Sequence, residues 1–129
     1  MKQSPIFVKS YDLMVWLIPR TLAFPKSQRG VLARKVQTQL FALYEALVDA
    51  GMSEAPLPHL RRADASLTKL RGYLRLCRDL QLLSIKQYGY ASQQVAQVGR
   101  LLGGWFKSLE RGTRSGRGDR PRQKAVPAS

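Results

Sequence analysis

The sequence predicts an all-α protein, an antiparallel up-down four-helix bundle, on three observations. Apolar residues recur at helical spacing in four segments, two of those segments alternate steps of three and four along one seam, and short connections with Pro, Gly or Ser separate them. With 129 residues, 44% of them hydrophobic, the chain can bury one modest core.

The first segment runs from Ile6 to about Phe24, with Phe7, Tyr11, Met14, Leu17 or Ile18, and Leu22 as its apolar face. Pro19 lacks the N–H that would bond the carbonyl of Val15, so the helix is expected to kink or break there. Phe24-Pro25-Lys26-Ser27 reads as a connection, with Ser27 as N-cap of a second helix through Leu32, Val36, Leu40, Leu43 and Leu47 that ends at Gly51. Met52 to Pro58 holds two prolines and an acid and reads as a loop. The third helix has the longest regular pattern: Leu60, Ala63, Leu67, Leu70, Leu74, Cys77 and Gln81. Tyr88-Gly89-Tyr90 interrupts that pattern, Ser92 is placed to cap a fourth helix, and Val95, Val98, Leu102, Trp105 and Leu109 form its seam. Beyond Arg111 the sequence GTRSGRGDRPRQKAVPAS has no aromatic residue and Val126 as its single large aliphatic. The bundle is therefore assigned to residues 1–111 and a basic disordered tail to residues 112–129.

Lys and Arg number 22 against 8 Asp and Glu, a formal net charge of +14 with a pI near 10.8. Such an excess repels itself in a compact chain and is best tolerated beside a polyanion, nucleic acid before a membrane surface. The lone Cys77 has no partner for an intrachain disulfide or a cysteine metal cluster, which predicts a reducing, cytoplasmic compartment. The longest early apolar run, Leu13 to Ile18, is too short for a signal segment or a membrane span.

Arg71, Arg75 and Arg78 each follow a seam residue of the third helix by one position, so they fall on an adjoining stripe about 100° around the helix. Asp64 and Asp79 are too few to pair with Arg61, Arg62, Lys69 and that stripe. The stripe is read as a phosphate-binding surface, against the plainer reading of long stems covering a bundle edge with their heads in water. Arg34 and Lys35 on the second helix are candidates to extend it. Gly99 and Gly103 are four apart and stack on one side of the fourth helix, where missing side chains let a neighbour approach closely; Trp105 is assigned to the core beside them. Trp16 and Tyr73 are candidates for a subunit interface. A single histidine, His59, placed in the loop before the third helix, and carboxylates with no paired pattern argue against an enzyme and against a metal site or other cofactor.

Four stretches, YDLMVWLIP, FPKSQRGVLARKVQTQLFALYEAL, LTKLRGYLRLCRDLQLL and VAQVGRLLGGWF, together resemble the four-helix bundle family of the Avd accessory proteins of diversity-generating retroelements and the proteins encoded by ribosomal RNA intervening sequences. The resemblance spans about residues 7–107 and rests on the Pro19 position, the Phe24-Pro25-Lys26 connection, the Leu-Arg pairs at Leu70-Arg71 and Leu74-Arg75, and the closing stretch Val98 to Trp105. It implies a homopentameric barrel with a basic surface that associates with a reverse transcriptase and binds template RNA, cDNA or an RNA-DNA hybrid during mutagenic retrohoming. Arg71 and Arg75 match the family's basic positions, and Gly99, Gly103 and Trp105 its structural closing motif. The alternatives are an RNA-binding module of the intervening-sequence type and a protein-protein scaffold whose charge complements an acidic partner.

Overall fold

The computed structural model describes residues 4–115, and the expected tail beyond Ser115 lies outside them. Among the described residues, four long helices form an up-down bundle: α1 Pro5–Leu22, α2 Arg34–Met52, α3 Leu57–Asp79 and α4 Ile85–Ser115. α2 is led in by a helical turn at Lys26–Gln28 and a π-helical turn at Arg29–Ala33, where Gly30 and β-branched Val31 weaken a regular ladder. Each helix packs on the helix next to it in sequence, and α1 closes the ring on α4. The side-chain contacts show the antiparallel order. Phe7 meets Trp105 and Trp16 meets Tyr90 between α1 and α4, and Arg62 pairs with Asp49 between α3 and α2.

The core forms where the sequence pattern places it in three of the four helices. Leu32, Val36, Leu40, Leu43 and Leu47 are buried from α2 and its lead-in, and α3 buries Leu60, Ala63, Leu67, Leu70, Leu74 and Cys77. From α4, Val95, Val98, Leu102 and Trp105 complete the interior. Each fully buried leucine contributes roughly 1.5–3 kcal/mol relative to exposure. Burial also pushes the Cys77 thiol up from its ordinary 9.0 to about 11, so it stays protonated and unreactive near neutrality. No helix among the described residues is long and apolar enough to cross a membrane.

α1 departs from the expected register. Its buried face is Ile6, Ser10, Leu13, Leu17 and Thr21, while Tyr11 and Leu22 are exposed and Phe7, Met14 and Ile18 sit half-buried at the core edge. Two hydroxyls make this possible. Ser10 Oγ donates to the carbonyl of Ile6 at 2.8 Å and Thr21 Oγ1 to that of Ile18 at 2.8 Å, so neither is buried with an unmet hydrogen bond. Nor is the helix broken at Pro19. Pro19 and Val15 both lie on the exposed side, where water can replace the missing hydrogen bond, and Arg20 Nη1 donates back to the carbonyl of Trp16 at 2.7 Å.

The other corrections concern element ends. Ser27 lies inside the Lys26–Gln28 turn and so does not cap it, and α2 ends at Met52 beside the expected Gly51. α3 starts at Leu57, which takes His59 into the helix, and there Arg62 donates to its Nδ1 at 2.8 Å. Gln81 is exposed and is not a seam residue. It takes a left-handed φ of 63° after the last turn of α3, while Leu82 N–H bonds the carbonyl of Cys77 at 2.8 Å and Gln81 N–H that of Arg78 at 3.0 Å, a Schellman ending. α4 then begins at Ile85, so Tyr88-Gly89-Tyr90 lies within it and Ser92 is not its cap. Ser84 is: its Oγ accepts from Gln87 N–H at 3.0 Å, and Gln87 Oε1 accepts from Ser84 N–H at 3.0 Å, a reciprocal capping box. α4 continues past Arg111 to Ser115.

Candidate nucleic-acid interface

Because α3 and α4 are antiparallel neighbours, the stripe that follows the α3 seam by one residue falls along the crevice between them. Arg71 and Arg75 line an open groove of about 340 Å³ together with Gly72 and Leu74 of α3 and Tyr88, Ser92 and Val95 of α4. Leu74 and Val95 are core residues and give the groove an apolar floor, while Arg71, Arg75, Tyr88 and Ser92 carry polar groups at its lining.

Arg78 stands at the end of the same line. Its guanidinium lies 4.7 Å from the ring centre of Tyr88, a cation-π contact, and its Nη2 is 2.8 Å from Asp79 Oδ1. One positive charge of the three is thus met by a neighbouring acid. Arg71 and Arg75 are exposed and have no ion-pair or side-chain hydrogen-bond partner among the described residues. Unpaired guanidiniums four apart on one helix face offer planar, multidentate donors suited to phosphate oxygens.

Gly99 and Arg71, assigned to different roles by the sequence, meet here. A Cβ at position 99 would lie 2.7 Å from Arg71 Nη2 and 3.5 Å from Leu67 Cδ2. The glycine therefore makes room for the arginine head, which lies across the surface of α4 as well as that of α3. Gly103 has nothing within 4 Å of its Cβ position, so the close approach expected there is not made within one chain. Trp105 is fully buried, with Phe7 edge-on at 6.0 Å, and serves the core.

Arg34 and Lys35 are exposed at the start of α2, at the end of the bundle where Arg78 sits, but neither lines the groove. Trp16 and Tyr73 are half-buried against the core, Trp16 between the Arg20 guanidinium at 4.2 Å and the Tyr90 ring at 4.7 Å. Exposed apolar residues stand on every helix: Val8, Tyr11, Val15 and Leu22 together on the outward face of α1, Phe41 and Met52 on α2, Leu57 and Leu76 on α3, and Ile85 and Tyr90 on α4. Sequence reasoning missed Tyr88 and Ser92 as lining residues because it took both for the boundary of α4. Among the described residues no group of three or more His, Cys, Asp or Glu is placed to hold a metal ion. A family profile described as bAvd-like matches residues 6–109. No curated protein matches the chain.

Proposed function

The chain belongs to the bAvd-like family, and on that premise we propose that it is a non-enzymatic, cytoplasmic accessory protein of a diversity-generating retroelement. It helps the reverse transcriptase by holding template RNA, cDNA or their hybrid on its basic surface during mutagenic retrohoming. The observation that carries this reading is the placing of Arg71 and Arg75 along one groove, neither with an acidic partner among the described residues, and of Arg78 against the Tyr88 ring that lines it. Arg34 and Lys35 supply peripheral phosphate contacts. The apolar outward face of α1 serves assembly into a homopentamer and docking of the polymerase, since Val8, Tyr11, Val15 and Leu22 lie exposed together along it.

Phosphate contacts made by lysine and arginine release counterions, so affinity falls steeply with salt and depends weakly on sequence. The test is light-scattering mass of the purified protein, then a salt titration of its binding to structured RNA, with and without reverse transcriptase on the same resin. A pentamer that binds RNA at low salt and captures the polymerase supports the proposal. RNA binding without polymerase capture would move the chain to the intervening-sequence type. Polymerase capture without RNA binding would leave only a scaffold.

A further inference from the structure

Phosphate recognition needs donors and charge, and an exposed arginine stripe supplies both without any cavity. The α3/α4 groove has features that such a role leaves unused: an apolar floor of Leu74 and Val95, an aromatic wall at Tyr88, a hydroxyl at Ser92 and a mouth left open by Gly72. Its volume of about 340 Å³ falls at the low end of small-ligand pockets, which run from about 300 to 1,000 Å³. The Arg78 guanidinium packs on the Tyr88 ring at 4.7 Å, and Arg71 and Arg75, neither paired among the described residues, rise from α3, the Arg71 head reaching across to α4 at Gly99. A flat, partly apolar group with phosphates on either side would meet every one of these surfaces.

We propose that the α3/α4 groove seats an unpaired base of a single-stranded nucleic acid, packed against Tyr88 over Leu74 and Val95, with flanking phosphates on Arg71 and Arg75. This rests on the nucleic-acid reading above and adds strand state to it. A duplex keeps its bases stacked inside and offers the groove only backbone, whereas a single strand can splay a base onto an aromatic ring and leave its edge for a hydroxyl such as that of Ser92. The protein then favours the unpaired stretches of a template over its helices.

Gly72 provides a variant that keeps every charge. A Cβ added there meets nothing within 4 Å, and replacing a glycine inside a helix raises helix propensity, so Gly72→Leu fills the mouth of the groove in a chain that still folds. Tyr88→Leu removes the ring while keeping apolar bulk. The experiment is fluorescence anisotropy at one salt concentration with a 12-nucleotide single-stranded RNA and a 12-base-pair duplex RNA, on wild type and both variants. The expected result is tighter binding of the single strand by wild type, a loss of about tenfold on that strand in each variant, and duplex affinity changed less than about twofold. Equal losses on both substrates, or no loss on the single strand, overturn the base-seating proposal and leave the nucleic-acid reading standing. No binding of wild type to either RNA at low salt overturns both. Photocrosslinking of wild type with a single strand carrying 4-thiouridine gives a readout free of substitutions: adducts are expected at Tyr88 or Ser92, and adducts confined to other helices count against the groove.

Discussion

Along α3, Arg61, Arg62, Lys69, Arg71, Arg75 and Arg78 stand against Asp64 and Asp79, and α4 adds five more basic residues against Glu110 alone; along α1, α2 and the turns between them the excess is smaller, Lys9, Arg20, Lys26, Arg29, Arg34 and Lys35 against Asp12, Glu45 and Asp49. On the outside of α1 the place of charge is taken by Val8, Tyr11, Val15 and Leu22. Both halves share one core, so their stability requirements are alike and do not account for the contrast. A charge excess serving solubility alone would be spread evenly over all four helices. On the function proposed above, the α3/α4 side meets a polyanion and the α1 side a protein.

The largest expected effect comes from reversing the charge that distinguishes the basic half. Arg71→Glu with Arg75→Glu should lower RNA affinity by about 100-fold in a chain whose circular dichroism and melting temperature hold, while Arg34→Glu with Lys35→Glu should cost less than about tenfold. Equal losses from the two pairs would mean diffuse charge and no localised site. On the other half, Val15→Asp should break the assembly into smaller species by light scattering yet change RNA affinity per chain less than about threefold, because an exposed position away from the groove is altered. Gly99→Val should sharpen the picture on a smaller scale. It displaces the Arg71 head, whose far end can move, so RNA affinity should fall about threefold to fivefold with little change in folding stability. The smallest effect belongs to the fold: Gln81→Gly relieves a left-handed residue at the end of α3 and should raise unfolding free energy by about 0.5–1 kcal/mol in urea titrations.

Leucines spaced by three and four make α2, α3 and most of α4 readable, because apolar periodicity is the signal that core burial imposes on a helix. The buried face of α1 is harder to read, for a reason that sits in two residues. Ser10 and Thr21 count as polar in any pattern, yet each satisfies its hydroxyl on its own helix and can be buried. The start of α4 is legible in Ser84-Ile85-Lys86-Gln87, a capping-box spelling, but Gly89 between two tyrosines suggests a break that the packed helix overrides. The arginine stripe follows from spacing alone. Its partners across the groove do not, since only the depth at which α3 and α4 pack brings Tyr88 beside Arg78 and Gly99 beneath Arg71.

The most direct test of the basic groove is the slope of log affinity against log salt for one structured RNA, measured for wild type and for Arg71→Gln with Arg75→Gln. Each phosphate that is no longer neutralised lowers the slope by about 0.7–0.9, so removing two positive charges from the groove should flatten it by about 1.4–1.8. An unchanged slope with a folded variant would place phosphate binding elsewhere on the bundle and contradict the assignment of this groove.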